Sequence, residues 1–176
     1  AFPPAFHVRF DSLLLPVSMP FPLQFTCPFV LASGSPRRQA LLDHVGISFE
    51  THVSPAGETV SGSHSPQAFA RILAPRKARP VARNHASALV LAADTVVAHD
   101  GDVLGKPEGP AHARRMLRRL SGTAHAVYTA CTLAHDESGR EITFVATTRV
   151  RVAPLSDREI ADYVETGSPM DKAGGY

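Results

Sequence analysis

From Pro28 onward the apolar and polar positions fall into short blocks whose spacing predicts alternating strands and helices. Phe29-Val30-Leu31-Ala32 is an apolar run expected to form a buried strand that enters the turn Ser33-Gly34-Ser35-Pro36. A helix is predicted to follow. Ser35 suits its N-cap and Pro36 its first turn, Leu41, Leu42 and Val45 recur at helical spacing, and Gly46 supplies the stop. Ser48 to Val53 predicts a second strand and Ser54 to His64 a polar loop. Ser65 and Pro66 repeat the cap-then-proline signal before a helix carrying Phe69, Ile72 and Leu73, which Pro75 is expected to kink or end.

Ala88 to Ala98 is apolar around one acid, Asp94, and reads as central sheet; Asp100-Gly101 is a hairpin-type turn leading to Val103 and Leu104. Ala111 to Leu120 predicts an Arg-rich amphipathic helix. Ala126 to Leu133 and Glu141 to Val152 read as an antiparallel pair joined by His135 to Gly139. Ser156 with Glu159 forms a capping box for a helix through Tyr163, closed by Thr166-Gly167, and Ser168 to Tyr176 is polar and Gly-rich. This alternation predicts a mixed α/β domain.

The 176 residues, 44% of them hydrophobic, suit one domain with a sizeable core. A net charge of +2 is too even for a general nucleic-acid or membrane coat, so any anion site must be local. Cys27 and Cys131 form no CxxC pair, which argues against a disulfide scaffold or zinc site and fits a reducing cytoplasm. The nine histidines show no metal-binding spacing. Before Pro28, six prolines counting Pro28 itself forbid a long helix, and Leu13 to Val17 is too short to span a bilayer. Residues 1–27 are expected to be a disordered extension or upstream read-through, with Met19 a candidate start.

Three places could carry chemistry. At Ser33-Gly34-Ser35-Pro36-Arg37-Arg38 a glycine allows close backbone approach, a helix N-terminus offers N–H donors and two arginines can grip phosphate; the bland alternative is a capped helix with two solvated arginines. Asp94 inside an apolar strand needs a cation or hydrogen bonds, either a structural partner or a metal or water to activate. Glu58, in a polar loop, could supply a second oxygen ligand for a hard divalent cation. Only three lysines, Lys77, Lys106 and Lys172, stand against fifteen arginines. Lys106 lies in a loop suited to reaching a ligand, whereas Lys77 could equally be surface charge. Arg114, Arg115, Arg118 and Arg119 read as a solvated helix face in preference to a nucleic-acid contact.

Taken in order, Leu31 to Arg38, Ala93-Asp94-Thr95-Val96-Val97, Gly105-Lys106-Pro107, Leu120-Ser121-Gly122 with His125, and Asp171-Lys172-Ala173-Gly174 resemble the Maf family of nucleoside triphosphate pyrophosphatases over about residues 28 to 176. The arginine pair, Thr95 and the Asp-Lys-Ala-Gly block resemble the dTTP/UTP branch more than the 7-methyl-GTP branch. The resemblance implies an α/β fold with a mixed twisted sheet flanked by helices, similar to inosine triphosphatase, and a nucleotide-binding cleft. It implies a cytoplasmic hydrolase acting on acid anhydrides, with Mg²⁺ or Mn²⁺, a nucleoside triphosphate substrate, a homodimer, and no nucleic-acid or membrane partner. Asp94 matches the family's proton acceptor and Arg37 and Thr95 its specificity positions. Ser33, Arg38, Glu58, Lys77 and Lys106 match its polar pocket, and Glu58 and Asp94 its plausible metal contacts. Three positions depart from the pattern: Gly57 replaces an acid, Pro75 interrupts the approach to Lys77, and Ser168 replaces Glu. The family continues past this point with a Gly-Ile-Gln-Gly block holding a third specificity position, so the chain reads as C-terminally truncated. The rival expectation is a catalytically impaired nucleotide-binding protein linked to cell-division control.

Overall fold

Strand β2 (Phe29–Leu31) is buried at all three positions and pairs in parallel with β3 (Glu50–Thr51) and with β4 (Leu89–His99). These strands belong to a computed structural model that describes residues 9–10 and 25–176. The described residues divide into two compact units, one holding 25–94 with 129–145, the other 9–10, 95–128 and 146–176. Of the expected extension, Arg9–Phe10 form a strand, β1; the remainder up to residue 24 lies outside the described residues. Among the described residues no helix is long and apolar enough to cross a membrane.

The first unit also contains α1 (Pro36–His44), α2 (Pro66–Asn84) and parts of β6 (Ala124–His135) and β7 (Arg140–Arg151), in the strand order β7-β6-β4-β2-β3. The fold class is mixed α/β, as the alternation predicts. Its core joins Val30, Ala32, Val90, Ala92 and Ala134 of the sheet to Ala78, Val81 and Ala82 of α2. Small alanines on both sides let the helix lie close to the strands.

Pro75 does not end the second helix: α2 runs 19 residues through both Pro75 and Pro80. Each proline costs about 3 kcal/mol by removing a ladder hydrogen bond. Burial of Ala70, Leu73, Ala74, Ala78, Val81 and Ala82 along one stripe opposes that cost, and Ser65 caps the start by accepting from the Ala68 N–H at 3.3 Å. Helix α1 forms where Ser35, Pro36 and the spacing of Leu41 and Leu42 predict it. No residue of α1 is buried, and Leu41 is 66% exposed.

In the second unit, Asp100 (φ 52°) and Gly101 (φ 86°) make the predicted hairpin turn from β4 into β5 (Asp102–Leu104), which pairs antiparallel with it. Strand β1 pairs antiparallel with β7. Helices α3 (Pro110–Leu120) and α4 (Asp157–Glu165) share a core of Ala113, Leu117, Ile160, Tyr163 and Val164. The capping box forms as expected: Ser156 Oγ accepts from the Glu159 N–H, and Glu159 Oε2 accepts from the Ser156 N–H at 2.8 Å. On α3, Arg118 bonds Asp157 and Arg119 bonds Asp102, each at 2.7 Å, so half of the arginine cluster is engaged within the fold.

The Asp-Lys-Ala-Gly block folds into two tight 3₁₀ turns, Ser168–Asp171 and Ala173–Gly175. Gly174 is required there: its φ is +73°, and a Cβ would meet Val97 Cγ1 at 3.0 Å. Tyr176 packs edge-on against buried His125 and shares a 2.5 Å hydrogen bond with its Nε2. Burial, then the neighbouring His99, lowers the His125 pKa below its ordinary 6.5, while burial raises Tyr176 to about 12. At pH values between the two His125 values, the unfolded chain binds more protons than the fold, so stability rises with pH there. This contribution is present above about pH 6.5 and is lost as pH falls through the lower folded value. Thermal melts from pH 7.5 to 5 should show that loss in the wild type and a shallower one in His125→Gln.

Candidate active site

The carboxylates and cations singled out in the sequence converge within the first unit. Asp94, only 6% exposed, sits on β4 after Val90, Ala92 and Ala93, all buried. On α2, Lys77 lies one turn after Leu73 and one turn before Val81, so helical spacing places it in the buried stripe that faces the strands. Its Nζ donates to Asp94 Oδ1 at 2.6 Å and to Glu58 Oε1 at 2.8 Å. The Lys77 side chain is 14% exposed, so the reading of Lys77 as surface charge fails. Burial pulls its pKa down, but the hydrogen bonds and charges of Asp94 and Glu58 outweigh this and hold it above its ordinary value. Lys77 is therefore an ammonium at neutral pH.

Glu58 comes from the irregular loop after β3 and is 68% exposed at its side chain. That loop is tied to α2 by a second contact, Arg76 Nη1 donating to the Thr59 carbonyl at 2.7 Å. Adjacent residues of one helix thus serve two ends: Arg76 anchors the loop and Lys77 receives its carboxylate. The sequence gives no direct signal for the Arg76 anchor.

Opposite end to end in the motif, Ser33 and Arg38 bracket the β2–α1 junction. Ser33, 8% exposed, accepts on Oγ from Arg38 Nη1 at 3.0 Å and from the Ser35 N–H at 3.3 Å. Ser35 has the extended backbone of an N-cap but makes no side-chain cap bond, so the serine that organises this turn is Ser33. Gly34 allows the close approach of Val53, whose Cγ2 would lie 3.1 Å from a Cβ there. Burial lowers the Arg38 pKa, opposed by the charges of Asp94 and Cys131. Arg37 is exposed on α1, and Thr95 is exposed on β4 beside Asp94. Lys106 is exposed in the second unit, next to Gly105, whose carbonyl accepts from the Gly174 N–H. A shallow cavity of about 420 Å³ lined by Ala68, Arg71, Ile72, Pro75, Arg76 and Arg79 contains none of the singled-out site residues.

Two carboxylates of different exposure, a shared ammonium and a guanidinium fixed at a helix start form a polar site built to hold an anion and a cation together. Residues 28–176 match the family described as Maf-like protein. The chain belongs to the Maf family. A dTTP/UTP pyrophosphatase of Salinibacter ruber is 61% identical over 154 residues, covering 88% of this chain and 76% of that protein. Similar proteins of the same name occur in Symbiobacterium thermophilum, 49% identical over 84% of this chain and 75% of the relative, and in Halalkalibacterium halodurans, 45% identical over 85% and 77%.

Three positions depart from the pattern the resemblance implies. Gly57 has open space where a Cβ would stand. Pro75 leaves α2 continuous and Lys77 correctly phased. Ser168 accepts from Lys172 Nζ through both its carbonyl and its hydroxyl, which keeps that lysine engaged.

Removing the Ser33 hydroxyl should release Arg38 and leave the Ser35 N–H without its acceptor. Ser33→Ala is expected to lose about 1 to 2 kcal/mol, measured by urea denaturation with an unchanged slope.

Proposed function

We propose that this chain hydrolyses dTTP and UTP to the monophosphate and pyrophosphate. The observation that carries the reading is the buried Asp94 carboxylate beside two fixed cations, Lys77 and Arg38. The names of the most similar Maf proteins supply the substrate class. Residues 28–176 form the Maf-like catalytic domain in this reading, and the free thiols Cys27 and Cys131 support a reducing, cytoplasmic setting. A homodimer is the assembly we expect from the family.

Releasing pyrophosphate requires water to attack the α-phosphorus while the bond to the α,β-bridging oxygen breaks and that oxygen leaves with the pyrophosphate. The attacking water must lose a proton, and charge builds on the bridging and non-bridging oxygens. Asp94 is placed to orient that water and take its proton, on a strand whose preceding positions Ala92 and Ala93 are buried. Arg38, positioned by Ser33, offers a planar pair of donors to phosphate oxygens. We assign Arg37 and Thr95 to base selection, and Lys106 to the phosphates, on the resemblance.

The donor set suits Mg²⁺ or Mn²⁺. Hard divalent ions of this size bind through one or two carboxylates together with substrate phosphates and water, and Glu58 and Asp94 are two carboxylates already drawn to one point. Such an ion would offset the charge that develops on the phosphates.

Pyrophosphate release is to be measured from dTTP, UTP, CTP and 7-methyl-GTP with magnesium or manganese. The wild type should turn over dTTP and UTP, and Asp94→Asn should lose at least about a hundredfold while remaining folded, at a lower melting temperature because Lys77 then keeps only the Glu58 carboxylate. An unchanged rate would remove Asp94 from the mechanism, and binding of dTTP without release would replace hydrolysis by nucleotide binding.

A further inference from the structure

Lys77 holds a position that the proposed chemistry gives to another cation. Its ammonium lies at the one point where the Asp94 and Glu58 carboxylates meet, within 2.6 and 2.8 Å of their oxygens. Those are the same two carboxylates assigned above to the divalent ion. We infer that Lys77 is an internal counter-cation that occupies the carboxylate pair in the nucleotide-free protein and must leave it before a divalent metal can bind. This rests on the reading of Glu58 and Asp94 as metal contacts.

The charges make the exchange selective. With Lys77 in place and the charge of Arg38 also acting on both carboxylates, the pair offers only a weak attraction for a free divalent ion that must also shed water. A triphosphate changes both sides of that balance. It brings its own oxygens to the metal, and it offers Lys77 another anion to bind when the ammonium moves off the carboxylates. Lys77 then couples metal to nucleotide: each binds more tightly once the other is present, and the coupling is reciprocal. The length and flexibility of the lysine stem allow this movement, because the ammonium is a single rotating donor group.

The test is Mn²⁺ binding to the nucleotide-free protein, followed by electron paramagnetic resonance of the free ion, in the wild type and in Lys77→Met. The variant should bind Mn²⁺ at least about tenfold more tightly, because a positive charge in contact with both carboxylates is gone. Its melting temperature, lowered by the uncompensated Asp94, should rise with Mn²⁺ more than that of the wild type. Equal or weaker Mn²⁺ affinity in Lys77→Met would overturn the inference. If that variant does not fold, labelling of the wild type decides. The chain has only three lysines, so acetylation at Lys77 can be read by peptide mass against Lys172 as the control. Saturating Mn²⁺ with a non-hydrolysable dTTP analogue should leave Lys77 shielded by phosphate, whereas Mn²⁺ alone at high concentration should speed its labelling severalfold. No change with Mn²⁺ alone would count against displacement. Pyrophosphate release that depends on Asp94 but shows no Lys77 effect on Mn²⁺ would defeat this inference alone. Absence of release from the wild type would defeat the functional reading instead.

Discussion

The Asp94 carboxylate is placed where water barely reaches, on a strand whose neighbouring positions are valine and alanine. An isolated charge in such surroundings costs several kcal/mol, so the strand can carry it only if a cation comes from outside the sheet. Lys77 provides that cation, and much of the local architecture follows from the need to bring it there. Helix α2 must run past two prolines, lie close to the sheet over alanines, and keep one charged residue within its buried stripe. The same helix then fixes the Glu58 loop through Arg76. Packing and chemistry are coupled at this one contact: the ion pair needs the alanine-lined interface, and a helix with that lysine on its buried face could not dock without the ion pair.

Most of the fold could be read from patterning because its signals are local. The Asp100-Gly101 turn, the Ser65 cap and the Ser156–Glu159 box depend on a few adjacent residues, and each forms as expected. The failures come from contacts distant in sequence. Pro75 signals a helix end by its own chemistry, and only the stripe buried against the strands outweighs it. In α1 the local spacing predicts the helix but carries no information on its burial, and Leu41 is exposed.

The site was legible in a different way. Asp94 stands out because a carboxylate in an apolar run demands an explanation, and Ser33 to Arg38 because glycine, serine and arginine cluster at a strand-to-helix turn. Lys77 was hidden by the misjudged proline. Once α2 is allowed to continue, the positions 70, 73, 74, 77, 78 and 81 form one helical stripe in which a lysine is the odd member. That residue pattern, an unexplained acid in a strand and an unexplained base on a helix face, identifies the pair without any structure. Glu58 carried no comparable mark, since an acid in an exposed polar loop is ordinary.

The choice between lysine and arginine at this point is itself informative. Arginine makes several of the other ion pairs among the described residues: Arg79 grips both oxygens of Glu141 at 2.8 and 2.9 Å, and Arg118 and Arg119 hold Asp157 and Asp102, while Lys172 meets its sequence neighbour Asp171. A guanidinium fork is suited to staying on one carboxylate, because its planar donors are arranged for that geometry. Between Asp94 and Glu58 the chain places one of its three lysines, a compact charge on a flexible stem that touches two carboxylates and is locked to neither by a bidentate fork. Arginine would suit a purely structural role at least as well. Lysine fits a position whose cation has to be exchanged during each turnover, where the hold must be firm enough to bury Asp94 and loose enough to release it.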